Sequence, residues 1–495
     1  MLLRGLPGSM SSGASGLCLR SAMANTKLSP ARRVTLSVLD EARRRDAYVR
    51  DLLDASAGVS ALDVRDAGLA RRLALGVTAA QGCLDELLDC FLAKPKKVAP
   101  RVRIALRITA FELLYLGTAA EVAVSQGVEL ARVAMPSAAG LANAVLRKVA
   151  AESASFFAAE DMPESERRLT AAARCAGLPL WLACEIEASR GAEAAASLFA
   201  AELDPAPVAA FAGTSPEAIT SFVSVQDGLA AQVAPHPGFV FPVDVREERI
   251  RRLLASGAVV IADERAQLIA SAATRSGSCL EIGAGRGTKT YIMTSQAVRA
   301  AYGHSHIALD LYEGKCRQNL ERLRKAGISD VRAVAGDACD LDTALAPLDA
   351  EAGERRLFDT VFVDAPCSGT GTMRRHPEIP WRLTLQDVNL NLPQLQLAML
   401  QQAAMRVAPS GELLYATCSV LKQENEAVID AFLASQQGMH FTLAPVSEAE
   451  IFSHPSFASA AKAIKAHESD RGLLQTIPAP ASFDGHFCAR LIKQS

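Results

Sequence analysis

The second half of this 495-residue chain alternates short apolar runs with helical segments. Patterns of helical periodicity, such as those at 314–327 and 392–408, separate the runs. Buried strands that alternate with helices predict an α/β fold with a doubly wound, mainly parallel sheet. Ligands of such sheets bind beyond the carboxyl ends of the strands. The runs, most with Gly, Asp or Cys at or near the end, are GAVVIAD, SCLEIGAG, HIALDLYE, VRAVAGDA, FDTVFVDAPC and GELLYATCS.

The first half reads as helical. Apolar residues recur at helical spacing in several segments between residues 30 and 150, and the prolines there fall at boundaries. We predict an all-α domain over 29–152. Residues 153–250 carry a weaker signal, apart from a helix predicted over 181–203, and we expect a linker or small mixed subdomain. The α/β domain then covers 251–495.

Residues 1–38 contain no Asp or Glu and are rich in Ser, Gly and Arg. We expect a disordered tail over 1–28; a transit peptide, or a true start at Met23 instead of Met1, is the alternative. The eleven cysteines contain no Cys-x-x-Cys pair, so we expect no metal site and a reducing cytoplasm. No apolar run approaches 18 residues, so no membrane span is expected, and we expect a monomer.

A glycine-rich turn follows the second apolar run. In LEIGAGRGTKT, Gly283, Gly285 and Gly287 allow a ligand to approach the backbone at the start of a helix. Asp310 ends the next strand, where a carboxylate can bind ribose hydroxyls. Asp337 ends the third strand and either binds an adenine amino group or caps a helix. Without a Walker lysine or a second phosphate-binding turn, S-adenosylmethionine is favoured over a nucleoside triphosphate or a dinucleotide.

Two further runs end in cysteine. DAPCSGTGTM places Asp364 beside Cys367, and YATCSV contains Cys418. Each cysteine by itself could be buried filler, but two thiols at the same edge of one sheet indicate a shared site. A thiol near a strand end before a helical segment can have a lowered pKa and act as a nucleophile.

Nucleic acid would have to bind to local basic patches, because the net charge is only −2. Arg374 and Arg375 follow the first cysteine motif and could contact phosphates. A second patch lies at 93–107, which contains six basic residues and no acid. A solvated helix face is the alternative there. The predicted RNA-binding residues are Arg374, Arg375, Lys96, Lys97 and Arg101.

These motifs resemble those of the RNA (cytosine-5) methyltransferase family, the Sun/Fmu-type enzymes. The matching stretches are DAPCSGTG, TCS, IADERAQL, RRHPEIPW, the pair EN at 424–425 and DGHFCARLIK, and the helical half resembles a NusB-like RNA-binding domain in LRITAFELLYLG and NAVLRKV. The glycine turn departs from the family's usual Ala-Ala-Pro-Gly-Gly-Lys-Thr, although Lys289 and Thr290 are kept. The resemblance implies a Rossmann-like methyltransferase domain preceded by a NusB-like domain.

The resemblance also implies roles for individual residues. Cys418 would attack C6 of a cytosine in single-stranded or loop ribosomal RNA, Cys367 would assist release, and Asp364 would hydrogen-bond the base near N3. The implied cofactor is S-adenosylmethionine. The residues expected to bind it are Gly283, Ala284, Gly285, Arg286, Gly287, Thr288, Lys289, Asp310, Asp337 and Asp364.

Two alternatives remain. One is a DNA cytosine-5 methyltransferase in which Cys367, in a Pro-Cys pair, is the nucleophile; the Thr-Cys-Ser motif and the NusB-like half argue against it. The other is a catalytically silent RNA-binding or assembly factor on the same fold. The intact Asp364, Cys367 and Cys418 oppose this second alternative, while the altered glycine turn leaves it open.

Overall fold

The computed structural model describes residues 28–214 and 236–494. The predicted tail therefore lies, except for Leu28, outside the described residues, and so does part of the predicted linker. The first region is helical, as predicted. Its helices are Pro30–Arg45 (α1), Val49–Ala55 (α2), Ala57–Ser60 (α3), Val64–Ala79 (α4), Gln81–Phe91 (α5), Pro100–Leu114 (α6), Ala120–Ala134 (α7) and Ala139–Phe157 (α8). One apolar cluster that includes the fully buried Leu73, Phe111 and Leu146 forms their common core.

A three-helix unit follows, formed by Glu164–Ala176 (α9), Leu180–Arg190 (α10) and Ala192–Ala201 (α11). The single helix predicted over 181–203 is wrong, because Gly191 adopts φ 80° and ψ 164° and breaks it in two. This unit buries its apolar side chains against residues that follow the two cysteine motifs, among them Met373, Val420 and Leu421. The region predicted as a linker thus packs directly behind the motif loops.

A small antiparallel sheet comes next. Its strands are Ala210–Ala212 (β1), Phe239–Val240 (β2) and Val259–Ile261 (β3), in the order β2-β1-β3, with helix Glu248–Ser256 (α12) before β3. The run GAVVIAD forms β3, so our assignment of that run to the doubly wound sheet is wrong. β3 pairs with β1 through Ala212 and Val259 instead.

The remaining strands form the main sheet, in the order β10-β11-β8-β7-β4-β5-β6, with β9 also paired to β11. β4 to β8 run parallel, and β9 to β11 are antiparallel. The strands are Gly277–Ile282 (β4), His304–Asp310 (β5), Val331–Ala335 (β6), Phe358–Asp364 (β7), Val407–Thr417 (β8), Phe441–Ala444 (β9), Leu474–Gln475 (β10) and Phe487–Lys493 (β11).

Helices cover both faces of this sheet, and apolar clusters lie on either side of it. β4 lies between β5 and β7, so the chain order reverses there and the carboxyl end of β4 is a topological switch point. The helices are Glu264–Ala272 (α13), Thr288–Arg299 (α14), Glu313–Lys325 (α15), Leu341–Ala352 (α16), Ile379–Arg382 (α17), Leu392–Ala404 (α18), Glu426–Leu433 (α19) and Ala458–Lys465 (α20).

Within the described ranges, no single helix has the length and apolar character needed to cross a membrane. The pair Glu164–Ala176 and Leu180–Arg190 meets those criteria only when taken together, and the two helices are bent by 107°.

Candidate active site

The two cysteines of the sequence motifs meet at the switch-point edge of the sheet. β7 and β8 are parallel neighbours that pair Asp364 with Ala416, so the loops after them start side by side. The Sγ atoms of Cys367 and Cys418 lie 3.3 Å apart, and the backbone N–H of Cys418 also donates to Cys367 Sγ at 3.3 Å. Both side chains are half-buried. The structure therefore places two thiols at one point that a substrate can reach.

The environment shifts the pKa values of the two thiols in opposite directions. The hydrogen bond from Cys367 lowers the pKa of Cys418 below its ordinary value, although burial opposes that shift. The same hydrogen bond, reinforced by burial, raises the pKa of Cys367 well above its ordinary value. One proton shared by two sulfurs explains both directions, since it belongs to Cys367 when Cys418 is a thiolate. Cys418 is thus the better nucleophile of the pair.

A buried carboxylate, not singled out in our sequence analysis as a functional residue, holds the two motif loops together. Glu424 accepts hydrogen bonds from the Ser368 backbone N–H at 2.8 Å and hydroxyl at 2.5 Å, the Ser419 hydroxyl at 2.6 Å and the Gln396 amide at 3.0 Å. Asn425 accepts a further bond from the Thr417 hydroxyl at 2.6 Å. Ser368 and Ser419 each directly follow a motif cysteine, so Glu424 fixes the distance between the thiols.

An ion pair borders the thiols on the side of the glycine turn. Lys289 Nζ lies 2.6 Å from Asp364 Oδ2. Burial lowers the pKa of Lys289, but Asp364 and Cys418 outweigh it, so the pKa is raised and the amine stays protonated. Burial raises the pKa of the Asp364 carboxyl, with Lys289 opposing the shift. Lys289 therefore supplies a fixed positive charge near the Cys418 sulfur.

The glycine turn is built tightly against β7. Gly283, Gly285 and Gly287 have φ of 81°, 58° and 80°. A Cβ at Gly283 would lie 2.3 Å from the Asp364 carbonyl oxygen, and one at Gly287 would lie 2.0 Å from Asn319 Oδ1. At Gly285 the nearest atom to such a Cβ is 3.9 Å away, which leaves open space beside the backbone. The turn is thus a cradle that closely approaching ligand atoms can enter.

The predicted cofactor carboxylates take different positions around this cradle. Asp310 is buried and accepts bonds from the backbone N–H groups of Gly285 and Tyr312, both at 3.0 Å. Asp337 is exposed and accepts from the Cys339 N–H at 2.8 Å, while Asp340 caps the following helix. The other turn residues vary in exposure: Ala284 is buried, Arg286 is exposed, and Thr288 accepts from Arg322 at 2.5 Å.

The RNA-contact role predicted for Arg374 is wrong. The Arg374 side chain is 1% exposed and donates to the Ser482 and Phe483 carbonyls at 2.8 and 2.9 Å. Arg375 donates to the Pro207 carbonyl, to Asp263 and to Asp484, and its side chain stays 23% exposed. The partners lie far away along the chain, so both guanidiniums hold the fold; a phosphate contact by Arg375 stays a prediction.

The other predicted basic patch, residues 93–107, leaves fewer basic side chains for phosphates than its sequence suggested. Arg103 and Arg107 form ion pairs with Asp85 at the edge of the neighbouring helix. Lys96 and Lys97 are exposed on a short 3₁₀ turn, and Arg101 is 43% exposed with Asp40 at 3.7 Å. Lys96, Lys97 and Arg101 therefore stay candidates for phosphate contacts.

A parallel sheet whose switch point carries an open glycine cradle beside Asp310 defines an α/β domain that binds a nucleoside-containing cofactor. The residues present fit such a group, because the space at Gly285 opens between the ends of β4 and β5.

Comparison with known proteins agrees with this class. The model of the family described as 16S rRNA methyltransferase RsmB/F matches residues 269–492, and the NusB family model matches residues 29–151. A ribosomal RNA small subunit methyltransferase B from Xanthomonas campestris is 30% identical over 416 residues, which cover 81% of this chain and 86% of that protein. Its Thermus thermophilus counterpart is 30% identical over 77% and 82% of the two chains.

This chain belongs to the 16S rRNA methyltransferase RsmB/F family. The resemblance to Sun/Fmu-type methyltransferases is thereby confirmed, as are the NusB-like helical region and the cofactor, S-adenosylmethionine. The crystal structure of the protein PH0851 has the same fold, with a TM-score of 0.67, 19% identity, and coverage of 94% of this chain and 98% of that one.

Proposed function

We propose that this protein methylates C5 of a cytosine in small-subunit ribosomal RNA, through a covalent bond between Cys418 and C6 of the base. The observation that carries the proposal is the 3.3 Å contact between two thiols of opposite pKa shift, beside the glycine cradle. Ribosomal RNA as the substrate is supported by the family and by the names of the relatives from Xanthomonas and Thermus.

The chemistry calls for a protein nucleophile because C5 of neutral cytosine is itself too weak a nucleophile to take a methyl group. Attack of the Cys418 thiolate on C6 opens the C5–C6 double bond and moves its electron pair towards C5, which then becomes nucleophilic. When bound, S-adenosylmethionine would supply the methyl group, and its sulfonium sulfur would become a neutral thioether. Lys289, 2.6 Å from Asp364, keeps positive charge beside the thiolate.

Asp364 is the residue we propose to stabilise the base as it reacts. Burial raises the pKa of its carboxyl while Lys289 opposes that shift, which supports a role in sharing a proton with N3 while the ring gains negative charge. The same residue lies against Gly283 of the cradle, where the Asp364 backbone allows no side chain. Asp364 thus connects the base to the cofactor side of the site.

The second thiol, Cys367, has the proposed role of releasing the methylated base from Cys418. Once Cys418 is bonded to carbon, its sulfur no longer accepts the proton of Cys367. Cys367 loses its own proton to solvent and then, as a thiolate, removes the C5 proton. The electron pair of the C5–H bond restores the C5–C6 double bond, and Cys418 leaves C6 as a thiolate. The close contact of the two sulfurs supports this role for Cys367.

The base must leave its stack to reach these thiols, which costs least in single-stranded or loop RNA. The NusB-like region and the exposed Lys96 and Lys97 are the proposed RNA-binding surface. A monomeric state and a cytoplasmic location stay predictions.

The test uses purified wild type, Cys367→Ala and Cys418→Ala with a small-subunit rRNA transcript and S-adenosylmethionine. We expect Cys367→Ala to accumulate a protein–RNA adduct on a denaturing gel, because it cannot complete release. Cys418→Ala should form no adduct and lose methyl transfer by about 10⁴-fold or more. The matched control is Cys339→Ala, which removes another half-buried thiol at the same sheet edge.

The reverse pattern, an adduct in Cys418→Ala, would make Cys367 the nucleophile and sink the mechanism. A DNA duplex in place of RNA tests the DNA-methyltransferase alternative, and we expect no transfer to it. Absence of methyl transfer and of adducts from every variant, on RNA and on ribosomal particles, would favour the silent binding factor.

A further inference from the structure

Three metal-binding side chains converge in the main sheet, away from the paired thiols. We call Cys279, His304 and His306 the Cys-His-His cluster. One ligand atom of each lies within 4.8 Å of the other two. Cys279 of β4 is the register partner of His306 of β5, and His304 lies two residues earlier on the same face. The strand pairing therefore brings the three side chains together.

Hydrogen bonding fixes which nitrogens face the centre of this cluster. His304 Nδ1 lies 2.9 Å from the Arg275 carbonyl, which only accepts, so the proton of neutral His304 is on Nδ1. His306 Nε2 lies 2.9 Å from Glu281 Oε2, which places the His306 proton on Nε2. The two remaining nitrogens, His304 Nε2 and His306 Nδ1, are 3.1 Å apart. Two lone pairs that face each other at this distance repel, so a proton or a metal ion between the two nitrogens would be stabilising.

The surroundings of the cluster contain further unsatisfied oxygens. Glu281 Oε1 and Thr360 Oγ1 are buried and have no hydrogen-bond partner within the described part of the chain. Thr360 is the register partner of Cys279 on the opposite strand, and Glu281 lies two residues beyond Cys279 on the same face. Buried oxygens without partners are costly, so Thr360 Oγ1, on the strand paired with Cys279, favours a water bound to an ion in the cluster, whereas the Glu281 carboxylate is not one of the converging groups.

We propose that the Cys-His-His cluster binds Zn²⁺ through Cys279 Sγ, His304 Nε2 and His306 Nδ1. One thiolate and two imidazoles are ligands that zinc prefers, with Zn–N distances of about 2.0–2.1 Å and Zn–S of about 2.3 Å. Two nitrogens that bind one tetrahedral zinc ion at these distances are roughly 3.3 Å apart. The 3.1 Å between His304 Nε2 and His306 Nδ1 is close to that value. Binding releases the Cys279 thiol proton to solvent, and a water or a buried oxygen completes the tetrahedron.

The hydrogen bonds that the two histidines make through their other ring nitrogens match those of protein zinc sites. Histidine ligands usually donate their other N–H to a carboxylate or a backbone carbonyl, which orients the ring. Glu281 and the Arg275 carbonyl take these positions. Glu281 Oε2 also accepts from Thr290 in α14 at 2.6 Å. The ion would therefore brace the helix that follows the glycine cradle.

A buried proton is the competing explanation. Without an ion, Cys279 and Glu281 together overcome burial and raise the pKa of His306 to about 10. An imidazolium at His306 would then donate to His304 Nε2 and satisfy both lone pairs. The proton and the metal make opposite predictions for metal content, so one experiment separates them.

Full-length protein is stripped with a chelator, dialysed against Zn²⁺ and analysed for metal content, and Co²⁺ is used as a spectroscopic probe. We expect one zinc per chain, a Co²⁺ spectrum with four-coordinate d–d bands and a thiolate charge-transfer band, and a Tm that rises by roughly 5–10 °C at a hundredfold excess over Kd. Cys279→Ser and His304→Gln should lose all three signals. His304 is half-buried at the start of β5, so its variant is the one expected to fold most readily.

Cys488→Ser is the matched control, because it replaces another buried strand cysteine of the same apolar cluster. It should keep its zinc. Absence of bound zinc and of Co²⁺ bands in wild type would overturn the proposal in favour of the imidazolium. Zinc that persists in Cys279→Ser but is lost in Cys367→Ala would belong to the active-site thiols and would overturn it as well.

Discussion

At the scale of single residues, the site depends on a difference between two chemically identical side chains. Cys367 and Cys418 both follow parallel strands and both are half-buried, yet their pKa values shift in opposite directions. The pKa of Cys418 is lowered because its sulfur accepts the hydrogen bond from Cys367 and because the Lys289 cation is near. A hydrogen bond between neighbours, and not the motif itself, gives the two thiols the different pKa values that their proposed roles require.

The first prediction concerns the acidity of Cys418. Alkylation by iodoacetamide needs the thiolate, so its rate rises with pH through the pKa of the thiol. In wild type we expect the midpoint for Cys418 below the ordinary value for a thiol. In Cys367→Ala the donor is gone, and the midpoint should move to higher pH. Peptide mass spectrometry after timed alkylation measures this; equal midpoints in the two proteins would contradict it.

The second prediction concerns Glu424, whose carboxylate accepts from Ser368, Ser419 and Gln396. Glu424→Gln puts an amide donor against these donors, which should cost about 1–3 kcal/mol of unfolding free energy. Because the distance between the thiols loosens, single-turnover methylation should fall by roughly 10–100-fold. Glu448→Gln, at an exposed site, is the control. Unchanged methylation would mean that Glu424 does not position the thiols.

At the scale of elements, one segment after the Cys367 motif docks the catalytic domain onto the helical region. We call residues 376–382 the docking segment. Glu378 Oε1 accepts from the Val49 N–H at the start of α2, at 2.8 Å. Trp381 Nε1 donates to the Ala79 carbonyl at 2.6 Å, and its ring fills the space that a Cβ on Gly82 would need, 2.0 Å away. The NusB-like region thus supports the loop that carries Cys367.

The third prediction tests this support. Trp381→Ala removes a large packed ring and a buried donor, so it should lower stability by about 2–4 kcal/mol and methylation by roughly tenfold. Gly82→Ala should have a similar effect from the other side, because its Cβ would overlap the ring. Denaturant unfolding and single-turnover assays measure both variants. Leu385→Ala, 48% exposed, is the control, and an effect of that size there would argue against specific docking.

At the scale of the whole molecule, buried histidines tie the fold to pH. His236 lies by the small sheet, and His486 directly precedes β11. Burial lowers the pKa of each to about 4. In the unfolded chain both titrate near 6.5. Stability from these groups is therefore present above pH 6.5 and is lost as the pH falls towards 4.

The fourth prediction follows from these values. Between pH 7 and pH 5 each of the two histidines should lower the free energy of unfolding by about 2 kcal/mol, because only the unfolded chain takes up the proton. Denaturant titrations at both pH values measure the change. His236→Gln should reduce the loss, whereas His440→Gln, at an exposed site, should leave it as in wild type. A loss in His236→Gln as large as that of wild type would contradict the assignment.

The strand ends were predictable because each short apolar run stops at a polar or small residue. Asp310 and Asp364 end β-strands and Cys418 follows one, and the parallel neighbours of these strands end at the same edge, so their meeting there follows from the alternation of strand and helix. The assignment of GAVVIAD failed for a related reason. A three-residue strand has no pattern that distinguishes one sheet from another, and its partner Ala210–Ala212 lies about 50 residues earlier.

The sequence by itself determined which side chains stand at the switch point, since periodicity and chain order place strand ends without knowledge of distances. Only the tertiary structure decided what those side chains do. Arg374 is a buried anchor and not a phosphate ligand because Asp484, 110 residues away along the chain, lies beside it. Cys418 became the more acidic thiol because another sulfur is 3.3 Å away. Burial, ion pairing and pKa depend on neighbours within a few ångströms, and those neighbours come from distant parts of the chain.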